Sequence, residues 1–437
     1  MKLRLRRTLV LLVQYATTRK EIMSIMAQKH DPFEAMRNTE FRNLMITRFL
    51  FIMGLRMMGT LVGWWVYNLT NAPFAIGLIG LSEVVPAVSL ALYAGHVIDV
   101  SEKRKLMLTG MFLYFIAAML LLGLSTSFTS NHLSNPSIAL CIYVVIFFTG
   151  IVRSFVGPTF NVLIGSIVPR STIQNATTWN QGTFLSASVI GHAMAGFFIA
   201  WFNISGTLIT LTLMLLIAFF MMTLMKEKPA LNERGEKKTW DSVMEGVRFV
   251  MKTKELLGAI SLDLFAVLFG GAVAMIPVYA RDILKVGPEG FGFLNAASDI
   301  GSITIVIALT IFPLRRKQGI KLLYAVACFG ICIITFALSK LFWLSFAALL
   351  ISGLVDGISV VIRGTIMQIK TPENMRGRVM SVNSMFINSS NEFGQFESGL
   401  AAKLMGVVSS VVFGGCMTLF VVATTWIKAP SLRKMEY

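Results

Sequence analysis

Ionisable residues inside long apolar stretches stand out in this 437-residue chain: Arg56, Glu83, Arg153, His192, Asp263, Asp299, Asp356 and Arg363. A charge in such a stretch costs on the order of 2.5–3.5 kcal/mol unless it is paired or wetted, so each predicts either a tie between helices or a place where protons and polar ligands move. Spacing narrows the pairings. Arg56 lies 11 residues before Tyr67 and Glu83 lies 8 residues past Ala75. At ~1.5 Å per residue both sit roughly 12 to 17 Å deep, which predicts an Arg56 to Glu83 pair, read as a charged cavity element or as a structural tie. Asp356 and Arg363 are seven apart, two helical turns along one face. Arg363 and Asp263 stand at matching depths and are predicted to pair across two helices. Asp299 has no partner legible in sequence. An isolated carboxyl group there is either a proton carrier or a hydrogen-bonded structural acid, because desolvation penalises the charged form. His192 reads either as a titrating switch or as a neutral hydrogen-bonded residue.

The elements that hold these residues follow from composition. Of all residues 55% are hydrophobic and 14% charged, and the mean hydropathy is +0.72, which excludes a soluble enzyme. Apolar runs of about 20 residues, enough for a helix to cross a hydrocarbon core, recur at 44–68, 75–98, 106–125, 138–164, 180–202, 206–225, 256–280, 290–312, 320–339, 343–369, 379–401 and 406–427. The prediction is an all-α membrane protein with twelve transmembrane helices, the eleventh being the most polar.

The chain divides into an N-terminal segment (1–43), a six-helix bundle (44–225), a linker with an amphipathic helix (226–255), a second six-helix bundle (256–427) and a tail (428–437). The 39 Lys and Arg against 22 Asp and Glu give a net charge of +17. They lie between apolar runs and form no nucleic-acid recognition pattern, so nucleic-acid binding is excluded as a function. They crowd the N-terminal segment and one set of loops, predicting a multi-pass protein of the bacterial inner membrane with both termini cytoplasmic. Residues 1–16, basic then apolar, are expected to form an amphipathic inner-surface segment. Trp240, Val243, Val247, Val250 and Met251 fall at helical spacing, predicting a helix on the inner membrane face. Four cysteines within apolar runs, four scattered histidines and the lack of a P-loop sequence imply no disulfide, metal or cofactor. An ion gradient or a partner is then the expected energy source.

The halves resemble each other. A shift of 203 sets Pro169 on Pro372, Asn180 on Asn383, Ser186 on Ser389, Gly191 on Gly394 and Gly196 on Gly399; a shift of 215 sets Leu69 on Leu284, Pro73 on Pro288 and Gly77 on Gly292. Two pseudo-symmetric six-helix bundles, related as parallel repeats, are the natural reading. Asp356 then corresponds to Arg153, and Asp263 to Arg48.

Residues 95–105, with Gly95, Asp99, Lys103, Arg104 and Lys105, resemble the G-x-x-x-D-(R)-x-x-x-R-(R/K) signature of the major facilitator superfamily, and Arg153 with Gly157 is similar to its R-x-x-x-G motif. Residues 371–379, with Arg376, Gly377 and Arg378, and residues 391–399, with Glu392, Gly394, Glu397 and Gly399, look like the branch holding the enterobactin exporter and macrolide efflux proteins. Two positions depart from the pattern: Gly191 is followed by His192, with Gly196 further on, where drug antiporters carry Gly-Pro, and Val100 stands where Arg is usual. The resemblance implies a secondary transporter that exports an amphipathic, siderophore- or drug-like small molecule by proton antiport with alternating access, acting as a monomer in the bilayer. It also implies that spans 1, 4, 7 and 10 line the pathway, that Gly95, Asp99, Arg104, Arg376 and Arg378 gate it, and that Gly191, His192 and Gly196 form the span 5 motif. An arginine cluster would suit carboxylate or catecholate groups. The competing classes are a passive facilitator or importer of a small metabolite and a membrane-embedded enzyme, whose only hint is His96 with Asp99.

Overall fold

The computed structural model describes residues 32–227, 239–312, 314, 317–372 and 375–436; the expected amphipathic segment at the start of the chain lies outside them. Among the described residues the chain is helical, without strands. The first half contains α1 (Thr39–Thr70), α2 (Pro73–Val100), α3 (Lys103–Leu124) and α4 (Asn135–Ile167). The next helix, Ile173–Thr223, turns at Asn203 (φ 59°, ψ −174°), giving α5 before the break and α6 after it. The second half contains α7 (Lys254–Phe269, resumed over Ile276–Val278), α8 (Gly287–Ile311), α9 (Gln318–Leu338), α10 (Phe342–Lys370), α11 (Arg376–Met405) and α12 (Val407–Lys428).

Local chemistry sets many of these limits. The Asn38 side chain accepts the amides of Glu40 and Phe41 at 2.9 and 3.2 Å, capping α1. Proline occupies the first turn of α2, α4 and α8, where its missing N–H leaves no bond unmade. The α7 segment breaks at Gly270–Gly271, which the continuous apolar run did not predict. A Cβ at Gly271 would lie 2.7 Å from the Gly394 carbonyl oxygen, so only glycine lets α11 approach there. Apart from α11, the helices are apolar enough over 18 residues to cross a membrane by composition alone, the continuous Ile173–Thr223 counting once. The polar α11 packs on α2, α7 and α12.

Each half is a six-helix bundle, and the halves meet along two seams, α2 with α11 and α5 with α8. At the first seam a Cβ on Gly399 would stand 2.7 Å from Gly77 Cα; at the second a Cβ on Gly196 would stand 2.6 Å from Gly292 Cα. The sequence repeat exchanges these pairs, since it matches Gly77 with Gly292 and Gly196 with Gly399. The pseudo-twofold therefore turns one seam into the other.

The ends differ. At the far end, away from residues 32 and 436, one apolar core joins both halves, including Leu61, Trp64 and Val66 with Met275, Tyr279 and Phe291. At the end carrying the described termini, the second half has its own core, built on Leu256, Ile260, Leu323, Ile366 and Leu432. The helix Thr239–Lys252 packs there on α7 and α11. It buries Val250 and leaves Met251 61% exposed; the side chains of Trp240 and Val243 lie outside the described part.

Candidate functional site

Three ionic groups stand at mid-span. In the first, Glu83 on α2 and Arg153 on α4 are brought together because the missing side chain of Gly150 lets α4 press on α2, where a Cβ would lie 2.5 Å from the Glu83 carbonyl oxygen. Gly80 does the same for α11: a Cβ there would lie 2.7 Å from the Glu392 carbonyl oxygen. One nitrogen of Arg153, Nη1, then donates to Glu83 Oε1 at 2.5 Å and to Glu392 Oε1 at 2.7 Å. Glu392 also accepts from Gln395 Nε2 at 3.2 Å. Arg153 thus joins a carboxylate of its own half to one of the other half.

The second group closes the α5 to α8 seam. Asp299 Oδ2 accepts from Ser188 Oγ at 2.8 Å, and His192 Nδ1 lies 2.7 Å from the same oxygen. Arg56 on α1 stands against the same α5 helix. It is held there because Gly191 admits α1, a Cβ on Gly191 falling 2.8 Å from Arg56 Cβ.

The third group lies within the second half. Arg363 forms an ion pair with Asp263, donates from Nε to the Ser359 carbonyl at 3.3 Å, and stands 3.9 Å from Asp356. Its side chain and that of Asp263 are each 8% exposed, whereas Asp356 is 43% exposed. A small cavity between α7, α9 and α10 opens between Asp263, Asp356 and Ser359.

The Asp263 to Arg363 pair is formed as predicted. The Arg56 to Glu83 pair is not: Glu83 is taken by Arg153, and Arg56 instead stacks over Phe184, Cζ to ring centroid 5.3 Å. Nor is Asp299 alone, since His192 and Ser188 meet it across the seam. Arg104 donates to the Thr223 carbonyl at 2.7 Å and lies 3.6 Å from Glu227. Arg378 pairs with Glu245 of the 239–252 helix. Gly95 and Asp99 end α2, and Arg376 begins α11, their side chains lying outside the described part.

Sequence reading missed Glu392 as a partner, although its place in the most polar span was a signal. It also missed a far-end latch. Tyr67 donates to the Asp282 carboxylate, while Arg281 donates to Asn68 and Asn71 at 3.0 and 2.7 Å and lies over the Tyr67 ring at 4.2 Å. Trp64 and Phe291 stack beside it at 4.9 Å. Two aromatic residues closing α1 were the signal there.

Two bundles of six helices, ion pairs crossing their seams at mid-span and a latch at one end define a membrane transporter of small molecules. The chain belongs to the transmembrane secretion effector family of the major facilitator superfamily, whose model matches residues 30–437. It is 25% identical to the enterobactin exporter EntS of Escherichia coli O1:K1 / APEC over 350 residues, 78% of this chain and 79% of that protein. The same figures hold for EntS of Shigella boydii serotype 18. The fold matches a mutant of the nucleoside transporter NupG (TM-score 0.71, 12% identity, 89% of this chain and 99% of that one) and a D-xylose-proton symporter (TM-score 0.68, 13% identity, 92% and 100%).

Proposed function

We propose that the protein exports an amphipathic small molecule, siderophore- or drug-like, across the bacterial inner membrane in exchange for protons. The observation carrying this reading is the double bond of Arg153 to Glu83 and Glu392. It makes attraction between the halves depend on a carboxylate that a proton can neutralise. Asp299 with His192 repeats the arrangement at the other seam.

In this reading the far end faces outward and the terminal end faces the cytoplasm, where the basic loops lie. The far-end latch holds the cycle's inward-facing state, and substrate enters between the halves from the cytoplasmic side. A proton arriving on Glu392 or on the Asp299–His192 pair weakens one seam contact, and the halves rock about the Gly77–Gly399 and Gly196–Gly292 approaches. Asp263, Asp356 and Arg363 form the second half's wall of the pathway. Gly95, Asp99, Arg104, Arg376 and Arg378 serve the terminal-end gate, and Gly191, His192 and Gly196 the α5 side of the seam. Export as the direction is supported by the likeness to EntS, an enterobactin exporter.

The test is transport in proteoliposomes under an imposed pH gradient, with a broad panel of amphipathic compounds. Gradient-driven, saturable movement of at least one is expected. No movement at any pH would refute the reading, and movement without saturation would favour a passive facilitator.

A further inference from the structure

Arg153 and Arg363 are matched by carboxylates, but two other arginines of the first half are not. Arg48 on α1 is 8% exposed, and its Nε, buried, has no hydrogen-bond partner. Among the described residues neither Arg48 nor Arg56 makes an ion pair. What surrounds them is aromatic: Arg48 Cζ lies 4.9 Å from the Phe160 centroid and 5.9 Å from that of Phe184, and Arg56 Cζ lies 5.3 Å from the same Phe184 ring. A ring face offsets part of the burial cost of a cation. It leaves the planar fork of N–H donors unfilled, and that fork fits a carboxylate or similar planar anion. One turn before Phe184, the buried Asn180 presents an Oδ1 that likewise lacks a partner. Beside Phe160 the wall is open: Asn161 is exposed, and a Cβ at Gly157 would touch nothing within 4 Å.

We infer that Arg48, Arg56 and Phe184 form the binding site for the acidic group and ring of an aromatic organic anion, with the buried Phe160 ring as the support under Arg48. The arginines take the charge, Phe184 takes the ring, and Asn180 Oδ1 accepts from a hydroxyl or N–H on the ligand. This rests on the transporter reading and names its substrate class. It also divides the labour of the charges, with the substrate anion on α1 and the proton on the seam carboxylates.

The probes are 2-naphthoate and the uncharged 2-naphthamide, which share a shape and differ in charge. Their binding to the full chain in nanodiscs is measured by calorimetry. Wild-type protein is expected to prefer naphthoate by about tenfold or more, the usual value of a charge-assisted contact. Arg48→Gln is expected to bring the two within about twofold, and Arg48→Lys, which keeps the charge and loses the fork, to fall between. Equal affinity for both probes in wild type, no binding of naphthoate, or an undiminished preference in Arg48→Gln would overturn the proposal. The wild-type comparison decides alone if Arg48→Gln does not fold. Gradient-driven transport of other compounds without charge preference would sink this site and leave the transporter reading intact; charge preference without transport would do the reverse.

Discussion

Arg153 and Arg363 each stand on the fourth helix of their half, yet they are used differently. Arg363 is 8% exposed and spends its charge inside the second half, on Asp263 and Asp356. Arg153 is 38% exposed and reaches across the seam to Glu392. An ion pair within a rigid bundle survives every state in which that bundle moves as a body; one between bundles must break when they part. The first kind contributes to stability and shape, whereas the second sets an equilibrium between states.

The comparison can be broken by mutation. The largest effect is expected from Arg153→Gln, which leaves Glu83 and Glu392 side by side without a cation. Transport should fall about a hundredfold or more, since the substitution strands the buried Glu392 carboxylate without its hydrogen-bonded cation, a loss of about 2–5 kcal/mol. Initial rates of gradient-driven efflux measure this, and a rate within a few-fold of wild type would end the distinction. Asp263→Asn should act first on stability, lowering it by about 3 kcal/mol because the buried Arg363 keeps only its longer 3.9 Å contact with Asp356. Thermal unfolding in detergent tests that; an unchanged midpoint would mean the pair is not a structural tie. Asp356→Asn sharpens the contrast within the same group. Half exposed and 3.9 Å from Arg363, this acid should change stability by about 1 kcal/mol or less while transport is lost, so unchanged transport would remove Asp356 from the pathway. The smallest effect is expected from Tyr67→Phe, which deletes one latch hydrogen bond. At about 1 kcal/mol it should raise the far-end-open population about fivefold, seen as faster labelling of a cysteine placed at Val66, which is buried in the far-end core.

How much of this was legible in the sequence depends on geometry. Depth along a helix is fixed by residue counting, so the height of Arg363 and Asp263 predicted their pairing. Direction around the helix axis is not, and that is why Glu83 was assigned to Arg56. Arg153 reached it instead because Gly150 lets α4 press against α2. Contacts between the halves were hidden for a second reason: Arg153 and Glu392 are 239 residues apart, and nothing local marks which faces meet. Asp299 and His192 were each singled out, but the link between them is a property of the seam. The spans themselves, and the repeat, were plain because apolar length and matched glycines are local. The break of α7 was not, since two glycines in an apolar run do not announce a neighbouring backbone.

The central claim is that protons act through the seam carboxylates, and Glu392→Gln tests it most directly. Purified wild-type and variant protein in proteoliposomes are compared in two assays with one transported compound: exchange at equal pH, and accumulation driven by a pH gradient. The account predicts that the variant keeps exchange and loses its response to the gradient. Gradient-driven accumulation equal to that of wild type would contradict it.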